Sequence, residues 1–167
     1  MHIMNRLKKY IIAFLAFLIL LGIDQWTKWL ACSYLKSQGE FPIIKNVFVL
    51  QYLENRGAAF GMMQNQRIFL LSLTTVILIA LIIIYQKIPS DKRFHILRIL
   101  DVILAAGAVG NMTDRFFRGY VVDFLYFKLI NFPIFNIADC YVVISAILAV
   151  LLMGFYYKEE DFKKEGI

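Results

Sequence analysis

From Ile68 to Tyr85 the chain reads IFLLSLTTVILIALIIIY, an apolar run whose only polar members before the final tyrosine are Ser72, Thr74 and Thr75. Serine and threonine hydroxyls in a helix bond back to the preceding turn, so they do not interrupt such a run. A stretch of this length without a charge is long enough to cross the hydrocarbon core of a bilayer as a helix. Three further stretches have the same character. With the first they give expected spans at 10–30, 68–85, 94–112 and 138–157. Composition agrees: 60% of the 167 residues are apolar and only 18% are charged, too few to cover a soluble globule. The expected fold is an α-helical polytopic membrane protein with four transmembrane helices, forming one membrane-embedded domain over residues 1–167.

The first span needs separate argument. Arg6, Lys8 and Lys9 followed by the apolar run from Tyr10 to Ile23 resemble the start of a secretory signal, and WLACS at 29–33 resembles a lipoprotein cleavage box. Asp24 and Lys28 interrupt the run before the cysteine, and Trp29 is bulky where such a box takes leucine. Asp24 and Lys28 are also spaced i,i+4 in the favourable acid-before-base order. One continuous helix follows, with this pair, Trp26 and Trp29 near its far interface and the pair read as structural.

Residues 31–67 are mixed. Val47 to Leu53 is rich in β-branched and aromatic residues, and Asn55-Arg56-Gly57 reads as a turn. Short strands on the membrane surface are expected here. Gly57, Ala58, Ala59 and Gly61 form a small-residue patch that a peptide backbone could approach closely. Pro89-Ser90-Asp91 reads as the turn of a basic loop over 86–98, and the charged tail KEEDFKKEGI as disordered. Lysine and arginine concentrate at the N-terminus, in the 86–98 loop and in the tail. The positive-inside rule places all three in the cytoplasm, so 31–67 and 113–137 face outward.

Two carboxylates carry the chemistry. Asp123 and Asp139 lie among Phe, Ile, Leu, Val and Tyr at the outer ends of the spans. A carboxylate near hydrocarbon is costly and marks a functional site by default. Two that converge could share a proton, one activating water and the other protonating a leaving group. Simpler readings stay open. Asn136 and Asp139 have the spacing of a capping box, so Asp139 could serve only to cap the fourth span. Asp123 could pair with Arg115 or Arg118. Asn111 and Arg115, i,i+4 in GNMTDR, would share a helix face and could hold the backbone of an extended substrate. Asp114 with Arg115 reads as an interfacial ion pair ending the third span.

Other chemistries find little support. His2 and His95 fall in basic segments on the inner side, away from any triad. Cys32 and Cys140 have no metal-ligand spacing and read as apolar filler. Neither a metal nor another cofactor is expected. The net charge of +6 flanks the apolar runs and does not suggest nucleic-acid binding.

In order along the chain, DQWTK at 24–28, NRGAAFG at 55–61, GNMTDR at 110–115, VVDF at 121–124 and FNIAD at 135–139 resemble the motifs of the lipoprotein signal peptidases, the signal peptidase II family of bacteria. The resemblance implies an aspartic endopeptidase of the cytoplasmic membrane, with both termini cytoplasmic and the active site at the outer face. The substrate would be a prolipoprotein with a diacylglyceryl-modified cysteine, cut just before that cysteine. Asp123 and Asp139 match the catalytic pair. Asn111, Arg115 and Asn136 match the polar residues framing the site, and Asn55 matches an asparagine of an extracytoplasmic β-cradle on the membrane surface. The resemblance further implies contact with membrane lipid and inhibition by globomycin-type cyclic peptides; a monomer is expected. The competing reading is a small transporter or channel using the aspartates as ion ligands. It is disfavoured because the second and fourth spans carry no ionisable group at mid-depth. An intramembrane protease of the presenilin type would need GxGD, which is absent.

Overall fold

The computed structural model describes residues 2–58, 62–89, 91–158 and 160–161, with side chains from Leu7 onward. Ala59 and Gly61 of the expected small-residue patch, Ser90 of the expected turn and most of the charged tail lie outside the described residues. Four long helices carry the fold: α1 (His2–Leu30), α2 (Arg67–Lys87), α3 (His95–Phe117) and α4 (Ile137–Leu151). Among the described residues, three helical segments are long and apolar enough to cross a membrane: Arg67–Lys87, Lys92–Phe117 and Ile137–Tyr156. The last includes a wide π-helical turn, Leu152–Tyr156, that continues α4. A similar turn, Ala31–Leu35, continues α1 past the expected end of its span.

Burial is inverted relative to a soluble protein. Ile68 is 81% exposed and Val150 70%, while Asp24, Lys28 and Asp114 are fully or almost fully buried. Apolar side chains thus clothe the outside, as hydrocarbon demands, and charged ones are gathered within. Glycine lets the helices approach. A Cβ built on Gly107 would lie 2.5 Å from the Ala138 carbonyl oxygen, and one on Gly110 would collide with Asp24 Oδ2. Small residues at a helix crossing allow such closeness.

Three strands form one antiparallel sheet in the order β1 (Glu40–Ile44), β2 (Phe48–Asn55), β3 (Val121–Tyr126). Asn46, with φ 62°, makes the turn between the first two. The β2 strand falls close to the expected stretch. The segment around Asp123 is the third strand. α3 runs to Phe117, five residues past its expected end at Met112, and stops at Arg118 and Gly119. Gly119, with φ +81°, takes the left-handed conformation common just after a helix. This turn feeds β3 directly from α3.

Candidate active site

Position along the sheet brings Asn55 to Asp123. Leu53 stands opposite Asp123 and Asn55 opposite Val121 in the β2–β3 ladder. All four side chains share one face, so Asn55 and Asp123 are diagonal neighbours. The Asn55 amide Nδ2 donates to Asp123 Oδ2 at 2.9 Å. Its own Oδ1 accepts from the Gly57 N–H at 2.9 Å, fixing the turn that leaves the strand.

A second return of the chain brings Asn136 to the same carboxylate. After β3 the backbone doubles back through a short 3₁₀ turn, Lys128–Ile130, and Phe135 pairs with Leu125. The Phe135 carbonyl accepts from the Leu125 N–H at 2.8 Å, and the Leu125 carbonyl accepts from the Phe135 N–H at 3.0 Å. The next residue, Asn136, donates through Nδ2 to Asp123 Oδ1 at 2.6 Å.

Asn136 also caps α4. Its Oδ1 accepts from the Asp139 N–H at 3.0 Å, and its own N–H donates to Asp139 Oδ2 at 3.0 Å. Both halves of the capping box are therefore present. The same asparagine binds both aspartates, so capping and convergence coexist. Asn111, reaching from α3, donates through Nδ2 to Asp139 Oδ1 at 2.7 Å and accepts at Oδ1 from Asn136 Nδ2 at 3.1 Å.

Arg115 lies one turn beyond Asn111 on the extended α3, as the i,i+4 spacing required. Its Nη2 donates to the Gly57 carbonyl at 2.9 Å. It therefore ties the loop after β2 to the helix and pairs with neither Asp114 nor Asp123. The arginine partner allowed for Asp123 is not found: its recorded hydrogen bonds come from Asn55 and Asn136.

The Asp114–Arg115 ion pair is overturned. Asp114 is buried and faces Lys28, Nζ to Oδ2 at 3.2 Å, and Arg118, Nε to Oδ1 at 3.5 Å. Its Oδ2 also accepts from the Val122 N–H at 3.1 Å, joining α3 to the strand that carries Asp123. Arg118 further donates to Cys32 Sγ at 2.9 Å, so this cysteine is more than filler.

The Asp24–Lys28 pair forms as its spacing indicates, at 2.9 Å, but it is buried against the site. Lys28 Nζ donates to Asn111 Oδ1 at 2.9 Å, and Asp24 Oδ1 accepts from the Ala138 N–H at 3.1 Å. Sequence pattern identified the pair but could not reveal its partners on α3 and α4. Only pairing across more than 80 residues makes it part of the site's support.

Asp123 is 1% exposed. Burial in this apolar strand, with the nearby Asp139 charge next, pushes its carboxyl up to about 7, against the opposing pull of the Asn55 and Asn136 amides. Two acids in one network, one held protonated near neutral pH, can perform acid–base hydrolysis. Among the described residues no cluster of His, Cys, Asp and Glu could hold a metal ion.

The family model described as signal peptidase (SPase) II matches residues 16–155. The lipoprotein signal peptidase of Caldanaerobacter subterraneus subsp. tengcongensis is 47% identical over 146 residues, 87% of this chain and 94% of that protein. That of Anoxybacillus flavithermus is 40% identical over 156 residues, 92% and 88% of the two chains. A solved structure titled as a bacterial membrane enzyme, determined in meso at 2.3 Å, superposes with a TM-score of 0.76. It is 32% identical, and the match covers 88% of this chain and 92% of that one. With a matched model spanning most of its length and relatives this similar, the chain belongs to the signal peptidase II family of peptidases.

Proposed function

We propose that this protein is an aspartic endopeptidase that removes the signal peptide from diacylglyceryl-modified bacterial prolipoproteins, cutting just before the lipidated cysteine. The observation that carries this reading is the double engagement of Asn136, which bonds both Asp123 and Asp139. The names of the relatives support the substrate class.

In the proposed reaction a water sits between the two carboxyl groups. Asp123, whose carboxyl titrates at about 7, carries the proton. Asp139, in the first turn of α4 where the helix terminus favours negative charge, acts as base. The water oxygen attacks the carbonyl carbon before the cysteine, and one water proton passes to Asp139. The C–N bond then breaks as Asp123 protonates the leaving amine. Proton transfer from Asp139 back to Asp123 restores the pair. Asn55, Asn111, Arg115 and Asn136 hold the carboxylates and the substrate backbone.

The proposed setting is the bacterial cytoplasmic membrane, crossed four times with α1 as the first span. Both termini are cytoplasmic, the carboxylates lie at the outer face, and the three-stranded sheet forms a cradle on the membrane surface. The diacylglyceryl chains would lie against lipid-facing helix surfaces, and a globomycin-type peptide would compete for the same site in a monomeric enzyme. The test is incubation of a lipidated prolipoprotein with purified protein, read as a gel shift. Cleavage that globomycin blocks is expected; an intact substrate would overturn the reading.

A further inference from the structure

At the end of the bundle away from the carboxylates, α1 and α3 part around a groove of about 510 Å³. That volume lies within the range of small-molecule sites, roughly 300–1,000 Å³. Ala13 and Ala16 of α1 and Val102 of α3 line it. The two alanines lie three residues apart, on one face of α1, and their short side chains leave the gap unfilled.

Three basic side chains, Lys9, His95 and Arg98, line the same groove, and among the described residues no acidic side chain does. All three fall at one end. The helices α1 and α3 run in the same direction, since Lys28 near the end of α1 meets Asn111 and Asp114 near the end of α3. Lys9 and the start of α3 are therefore level. The other end of the groove is wholly apolar. Arg98 and Asn111 are separated by about 20 Å along α3, so this groove is distinct from the carboxylate site.

We propose that the groove holds an acyl chain of an anionic phospholipid, with the lipid phosphate against Lys9, His95 and Arg98. The lining has the polarity of that ligand: cationic where a headgroup sits and apolar along the chain. Basic pockets between transmembrane helices attract anionic headgroups in this way. A zwitterionic lipid offers the same phosphate, but the cationic group beside it is repelled by basic side chains, so a net anionic headgroup is preferred. Setting the orientation of the helices would require the charges but not the cavity beside them. The site is independent of the peptidase reading.

The test uses the full chain, purified in detergent and supplied with phosphatidylglycerol or phosphatidylcholine in equal amounts. Native mass spectrometry counts the lipid molecules retained. At least tenfold stronger retention of phosphatidylglycerol is expected. Lys9→Gln should weaken it several-fold, and Lys9→Gln with Arg98→Gln at least tenfold. Arg98 Nη2 also donates to the Ile88 carbonyl at 2.6 Å, so the double variant could lose its fold. Ala16→Leu, which fills the groove and leaves every charge in place, is the second arm and should reduce retention of the same lipid. A thermal melt of each variant without added lipid establishes folding. Equal retention of the two lipids, or undiminished phosphatidylglycerol on folded Lys9→Gln and Ala16→Leu, would overturn the proposal.

Discussion

Lys28 Nζ on α1 lies 2.9 Å from Asn111 Oδ1 on α3, and the amide of that asparagine in turn donates to Asp139. A buried ammonium thus sets which way the Asn111 amide faces. The same ammonium neutralises Asp24 and Asp114, both fully enclosed. Replacing Lys28 by Met leaves two carboxylates without their shared cation. Loss of one partner from a buried ion cluster costs about 3–5 kcal/mol. A strongly lowered melting temperature in detergent is expected; an unchanged melt would show that the cluster carries no stability.

Asp123→Asn and Asp139→Asn should each reduce cleavage of a lipidated prolipoprotein by at least about 10²–10⁴-fold, the usual worth of a positioned acid or base. Each carboxylate oxygen accepts from an amide, so asparagine at either position sets an NH₂ against a donor. A modest fall in stability, about 1–3 kcal/mol, should accompany the loss. Normal processing by either purified variant would end the dyad proposal.

The Asp123 carboxyl, raised to about 7 by burial, should impose an alkaline limit on the reaction. Below that pH it holds the proton the leaving amine needs; above it the proton is lost and kcat/KM falls. The Asn55 amide pulls the other way by bonding to the ionised form. Asn55→Ala should therefore move the alkaline limb to higher pH, besides lowering the rate. A pH profile whose limb stays in place or moves down would contradict this assignment.

Two glycines of α3 should tolerate no side chain. At Gly107 a methyl would meet the Ala138 carbonyl, which is backbone, and at Gly110 it would meet Asp24. Overpacking of this kind costs about 1–3 kcal/mol or more. Gly22→Ala is the control: nothing lies within 4 Å of the added methyl, and removing a helical glycine should be neutral or stabilising. Comparative melts of the three variants check the contrast.

Much of the helical framework can be read from the chain because hydrocarbon imposes a simple rule on composition. The apolar run at 68–85 and the helix Arg67–Lys87 differ by one or two residues at each end. The capping role of Asn136 was equally visible, since a cap is a local device. What could not be read is partnership across the chain. Asp114 read as the charged end of a span because the cation beside it in sequence, Arg115, offered an interfacial partner. It faces Lys28, contributed by α1, as well as Arg118, and with its charge met inside the bundle α3 continues to Phe117. The same limit hid the link from Lys28 to Asn111. Strand β1 was hard to place because Pro42 interrupts it and its residues are exposed.

The turn from Phe135 into Asn136, which joins the last strand to the last long helix, also sets a timetable. Asp24, Lys28 and Asn55 emerge from the ribosome early, yet the asparagine that binds both acids arrives only after more than three quarters of the chain has been made. A nascent protein halted before that point would have three of its four long helices and not the network that joins the two acids. On the proposed reading, activity is thereby reserved for a chain whose last long helix has begun to form.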